Sequence, residues 1–296
     1  MADTSGGNGG GSSSGAGRTD LRLSRLSLNT ATVRPLDAVG GPDLIAMADA
    51  CARAGVQWIA PWRQQFAEVP VAAAAKAIRD AGLRVSSLCR GGFFPAATAS
   101  ARQASIEDNV RAIDEAAELG TDVLVLVCGG VIDKDIKGSR QMIEDGIAAV
   151  LPHAAERGVR LGIEPLHPMF AADRSVIATL GEANAMVERL ASPWVGAVID
   201  VYHVWWDPEV DAAIEAASAH TLGFHVNDWI VPLPDVLAGR GMMGDGVIDL
   251  RRLRTAVDEA GYEGPIEVEI FNQALWERPM DEAIALLKGR YQAEVL

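Results

Sequence analysis

Residues 120–164 read GTDVLVLVCGGVIDKDIKGSRQMIEDGIAAVLPHAAERGVRLGIE. The run Asp122–Cys128 is almost wholly Val and Leu, as expected of a strand buried on both faces. Ser139–Arg157 follows with apolar residues at helical spacing and stops at Gly158, a helix C-cap signal. Val159–Glu164 is a second apolar run, and it closes on a carboxylate. Strand, helix, glycine stop and parallel strand make one βαβ unit.

The unit repeats in both directions. Further apolar runs lie at Leu23–Asn29, Val56–Ala60, Leu83–Cys89, Val195–Asp200, Leu222–Val226 and Pro265–Ile270. Amphipathic stretches separate them: Asp43–Ala54, Val71–Ala81, Ser105–Leu119, Glu182–Leu190, Pro208–Ala219, Leu250–Ala260 and Met280–Tyr291. Gly55, Gly82, Gly120 and Gly261 mark helix ends as Gly158 does. Eight strands alternating with helices predict a single α/β domain, a closed (β/α)8 TIM barrel, over 20–296. An open doubly wound sheet would want a glycine loop after its first strand, but that position reads Asn29-Thr-Ala-Thr-Val-Arg-Pro. The length of 296 residues suits one barrel. Residues 1–19, MADTSGGNGGGSSSGAGRT, are expected to form a flexible Gly/Ser tail.

A net charge of −14 with no basic stripe argues against a nucleic-acid partner. No run is apolar enough to cross a membrane, and no secretory layout opens the chain. Cys51, Cys89 and Cys128 are odd in number and form no C-x-x-C, so a reducing cytoplasm is expected.

The active site of such a barrel lies where its strands end. The fifth ends Leu161-Gly-Ile-Glu164-Pro-Leu-His167-Pro, and the sixth Ala197-Val-Ile-Asp200-Val-Tyr-His203. The seventh ends Gly223-Phe-His225-Val-Asn-Asp228, and the eighth Ile266-Glu267-Val-Glu269. A charge closing an apolar strand is costly unless paired or metal-bound. Four in succession, Glu164, Asp200, His225 and Glu269, predict one divalent metal site. The hard, oxygen-rich set suits Mn²⁺ first, then Mg²⁺, with Co²⁺ or Fe²⁺ as further candidates. Glu267 points the same way as Glu269 but deeper, where an arginine is its expected partner.

Around this quartet, His167 and His203 are candidate substrate contacts, with turn capping and support of a metal ligand as the alternative roles. Asp228 is expected to orient His225 or to cap a helix. Trp62, Arg90 and Phe94, after the second and third strands, are candidate walls of a substrate pocket. The long connection Val231–Gly246 reads as a binding loop, with Arg240 its substrate contact. Asp245 in the same Gly-rich turn speaks against a phosphate there.

From about Leu21 onward, and most specifically in its second half, the chain resembles the xylose isomerase-like TIM barrels, the sugar isomerase/epimerase group. The resemblance implies a divalent metal on Glu164, Asp200, His225 and Glu269, and a substrate-contacting His203 in the D-x-x-H step from Asp200. It also assigns acid/base roles to Glu164 and Glu269, a small sugar or polyol as substrate, and homo-oligomers. One departure stands out. Where ketose 3-epimerases carry a substrate-binding Glu six residues after the first metal Glu, this chain has Phe170, and it offers His167 and Arg174 nearby.

The resulting expectation is proton abstraction next to a carbonyl, through a metal-stabilised enediolate. Epimerisation or isomerisation follows if the proton returns, and dehydration, as in a lyase such as an inosose dehydratase, if a β-hydroxyl leaves. A nuclease of the same superfamily would need histidines from early strands, but those ends read Ala60-Pro61-Trp62 and Cys89-Arg90-Gly91. A non-catalytic sugar-binding subunit would have no use for two opposed glutamates.

Overall fold

The computed structural model describes residues 23–35, 43–67 and 69–296. The expected tail, 1–19, lies outside them. The strands are β1 Leu26–Asn29, β2 Trp58–Ala60, β3 Arg84–Val85, β4 Leu88–Gly92, β5 Val123–Val127 and β6 Arg160–Glu164. They continue with β7 Val195–Asp200, β8 Thr221–Val226, β9 Asp228–Trp229, β10 Arg240–Gly241 and β11 Ile266–Val268. The main sheet runs β3-β2-β1-β11-β8-β7-β6-β5-β4 with parallel pairing. β3 and β4 are two halves of the expected third strand. The first half pairs with β2 and the second with β5, while a parallel bridge joins Trp62 to Cys89. The bend between the halves brings the two sheet edges together, so the sheet curls into a single (β/α)8 barrel of the TIM type.

The helices are α1 Leu44–Arg53, α2 Val71–Asp80, α3 Ala99–Leu119, α4 Ile136–Arg157, α5 Leu180–Leu190, α6 Val201–Val204, α7 Val210–Ala216, α8 Leu250–Glu259, α9 Gln273–Trp276 and α10 Met280–Arg290. The glycine stops hold: Gly120 and Gly158 are left-handed C-caps with φ of 82° and 69°. The N-termini are where the periodicity reading falls short. α3 and α4 begin six and three residues early, because Thr98 and Asp135 cap them by accepting from Ala101 N–H and Gly138 N–H. A cap sets the helix start, whereas the apolar face begins only where the helix meets the sheet.

Strand residues such as Leu124, Leu126, Leu161 and Ile163 are fully buried and pack with the helix faces into one core. The three cysteines are free and buried. Among the described residues no helix is long and apolar enough to cross a membrane.

Gly92 ends β4 at φ 103°, and a Cβ there would lie 2.0 Å from the carbonyl oxygen of Val127. Gly92→Ala therefore adds a disfavoured backbone conformation to a backbone clash. We expect a loss of about 2 kcal/mol or more in urea unfolding; an unchanged midpoint would contradict this packing.

Candidate active site

Parallel register delivers the chemistry to one rim. β7 and β8 pair so that Asp200 lies beside His225, and β8 and β11 so that His225 lies beside Glu267. Glu164 ends β6, and Glu269 follows β11. Glu164, Asp200, His225 and Glu269 are all buried, and one ligand atom from each lies within 4.8 Å of the others.

The cluster is short of positive charge. Glu164 Oε1 and His225 Nδ1 lie 3.3 Å apart, both buried, and neither has a hydrogen-bond partner. His225 Nε2 faces Glu267 Oε1 at 3.7 Å, while Nδ1 faces Glu269 Oε2 at 3.8 Å. With its proton on the Glu267 side, a neutral His225 would offer its Nδ1 lone pair to a cation shared with the two carboxylates. Burial alone would keep His225 neutral, but Glu267, and then Glu164 and Glu269, push its pKa well above the ordinary value. The donor set thus fits a divalent cation held by Glu164, Asp200, His225 and Glu269.

Other residues fix these side chains in place. Asp200 Oδ1 accepts from Asn227 Nδ2 and from Tyr202 N–H, both at 2.9 Å. Asn29 Nδ2 donates to Glu267 Oε1 at 2.7 Å and Glu269 Oε1 at 2.9 Å, and its Oδ1 accepts from Trp62 Nε1 at 2.8 Å. Ser87 donates to Glu267 Oε2 at 2.9 Å. Glu267 was expected to meet an arginine. It is held by Asn29 and serine hydroxyls, and the arginine goes to Glu269.

That arginine is Arg240. Its Nη1 donates to Asp200 Oδ2 at 2.8 Å and to Glu269 Oε2 at 2.9 Å. Its guanidinium carbon lies 4.7 Å from the ring centroids of both Tyr202 and Phe271. Burial pushes the Glu269 carboxyl up, but Arg240 and His225 outweigh it and hold the group down at about 2. Burial pushes Glu164 up to about 7. Two glutamates of one cluster therefore differ widely in proton affinity.

His203 is buried; its Nδ1 accepts from His167 N–H at 3.2 Å, and its Nε2 lies 3.2 Å from Arg240 Nη2. Burial lowers its pKa to about 3, so the ring is neutral. A cavity opens over the cluster. Of the expected pocket residues, Trp62, Arg90, His203 and Arg240 line it, and Phe170, Arg174 and Phe271 join them.

Three expectations need correction. Phe94 is not a pocket wall: its ring fills the space beside Gly146 in the core, and the neighbouring Phe93 turns toward the Leu166–Phe170 side. His167 does not line the cavity; its Nδ1 accepts from Met169 N–H, capping the turn at Pro168, and its ring packs on Trp206 and Trp229. Asp228 does not hold His225. Its oxygens accept from the N–H groups of Trp229, Gly244, Gly246 and Ile248, fastening both ends of the loop that carries Arg240. The turn's donors are thereby used internally, and Asp245 pairs with Arg290 at 2.6 Å. Sequence reading missed Asn29 and Asn227 as supports. Asn29 carried the same signal as Glu164, a polar residue closing an apolar strand.

The sequence profile of the xylose isomerase-like TIM barrel family matches residues 48–290. The chain belongs to this family. Protein SMc04130 from Sinorhizobium meliloti 1021 has a crystal structure that superposes with a TM-score of 0.87, at 49% identity, over 92% of this chain and 98% of that one. L-ribulose-5-phosphate 3-epimerase UlaE of Escherichia coli K12 is 26% identical over 72% of each chain. The 3-dehydroshikimate dehydratase of Pseudomonas putida KT2440 is 30% identical over 60% of this chain, which spans 28% of that relative.

Proposed function

We propose that the chain is a divalent-metal-dependent isomerase or epimerase of a small keto-sugar or keto-polyol, acting by proton removal next to the carbonyl. The observation that carries this reading is the buried cluster of three carboxylates and one imidazole beneath the cavity, two of the carboxylates being glutamates that also line it. Glu164, Asp200, His225 and Glu269 would hold the ion, Mn²⁺ first among the candidates, then Mg²⁺ or Co²⁺. Such an ion supplies Lewis acidity, which acidifies the C–H beside a carbonyl and balances enediolate charge.

The chain's own residues do the rest. Glu269, kept ionised by Arg240, takes the proton from carbon, leaving an enediolate. Glu164 takes up a proton from solvent and returns it from the other side. Return to the same carbon epimerises the substrate, and return to the adjacent carbon isomerises it. Solvent exchange at the two carboxyls then resets their protonation. His203, held through Nδ1 by His167 N–H with Nε2 beside Arg240 Nη2, stands at the cavity wall where it can contact a substrate oxygen. Trp62, Phe170 and Phe271 form apolar walls that keep bulk water from the enediolate.

The identity to 3-dehydroshikimate dehydratase supports a second reading of the same site, in which loss of a β-hydroxyl follows proton removal. Incubating Mn²⁺-loaded protein with ketoses, inososes and 3-oxo-sugars in heavy water separates the two by mass spectrometry. Deuterium gained without mass loss is the expected result. Loss of water would move the assignment to the lyase, and neither label nor water loss in any compound with Mn²⁺ bound would sink both.

A further inference from the structure

Among the described residues, two arginines on the cavity wall make no hydrogen bond to a carboxylate. Arg90 lies in β4 with its guanidinium carbon 4.1 Å from the ring centroid of Phe93; its Nε is buried and has no hydrogen-bond partner. Arg174 sits on the turn beyond Phe170, 5.9 Å from that ring, and its paired carboxylate, Asp173, is 3.9 Å away. Nearby Arg63 shows how the chain neutralises an arginine when the charge is structural. It donates to both oxygens of Asp108 at 2.8 and 3.2 Å and to Glu115 at 2.5 Å. With 40 acidic residues against 26 basic ones, the lack of a partner for Arg90 is not for want of carboxylates. A part-buried guanidinium with no carboxylate bonded to it is costly; beyond the groove it shares with Arg63 and Asp108, Arg90 borders the cavity, where a substrate anion could meet it.

The planar guanidinium fork matches a carboxylate or phosphate through paired hydrogen bonds.

We propose that Arg90 and Arg174 form an anion-recognising wall, and that the substrate is an acidic keto-polyol, with its carboxylate or phosphate away from the reacting carbonyl, and not a neutral sugar. This rests on the enolising reading above and narrows its substrate class.

Three matched probes test it: 5-keto-D-gluconate, D-fructose 6-phosphate and D-fructose, titrated calorimetrically into the Mn²⁺-loaded protein. We expect at least one acid to bind about 10- to 100-fold more tightly than D-fructose. The ratio should fall toward unity in Arg90→Gln and in Arg174→Gln, and recover in part in the Arg→Lys variant at each position. Thermal melting of each variant establishes that it is folded, and Arg174, on a half-exposed turn, tolerates the change even if Arg90 does not. The acid with the larger arginine-dependent gain identifies the group recognised. D-Fructose binding as tightly as both acids, or a preference that survives in both Gln variants, overturns the proposal. Repeating the incubations in heavy water separates this inference from the reading beneath it. Arginine-dependent binding of an acid without deuterium gain keeps the anionic wall and removes the enolising chemistry. Deuterium gain in D-fructose without any preference for acids does the reverse.

Discussion

Glu269→Gln protein, loaded with Mn²⁺, is expected to lose substrate-dependent deuterium exchange by at least about 10³-fold, and Glu164→Gln by a similar factor. Glutamine keeps the size and one acceptor oxygen of glutamate but cannot take up a proton. At position 269 the substitution also strands Arg240, whose Nη1 sits 2.9 Å from Glu269 Oε2. Because both glutamates belong to the proposed ligand set, ion content has to be measured in each variant. Exchange lost while the ion is retained isolates the proton-transfer role. Full exchange in either variant would remove that residue from the mechanism.

Arg240→Ala should have the largest effect on stability. The substitution leaves Asp200 and Glu269 buried together without the cation that binds both. Removing one partner from a buried ion network costs about 3–5 kcal/mol. Urea unfolding in EDTA should show a loss of that size, and adding Mn²⁺ should recover part of it, since an ion on the same carboxylates compensates the same charge. Arg252→Ala is the control, because its pair with Asp211 is largely exposed and contributes little. A loss below about 1 kcal/mol for Arg240→Ala in EDTA would mean that the pairs are not formed as described.

The strand and helix sequence of the barrel was legible because each element carries its own local signal: continuous apolar runs, helical spacing and glycine stops. The quartet was legible for the same reason, since each member closes an apolar run with a charge that packing alone does not explain. What escaped depends on pairing across the barrel. Nothing near Glu267 indicates that Asn29, 238 residues away, donates to it. Arg240 reads as a loop residue facing a ligand, and only the folded loop turns it inward between two carboxylates. The exchange of Phe93 for Phe94 has a local cause. Gly92 and Phe93 both adopt positive φ, 103° and 54°, which breaks the two-residue alternation on which the expected orientation relied. Asp228 was misassigned because its four partners are backbone donors, which no side-chain pattern reveals.

The hydrogen bond from Asn29 to Glu269 spans 240 residues. On a ribosome that interval is on the order of ten to fifty seconds of synthesis. Throughout it, Asn29 waits without its partner, and Glu164, Asp200 and His225 emerge without the glutamate that completes them. The reactive centre is therefore assembled by the same event that joins the first strand to the last. A nascent or truncated chain can hold fragments of the acid cluster but not the opposed pair of glutamates, so the proposed competence for proton abstraction would appear in one step with the finished barrel.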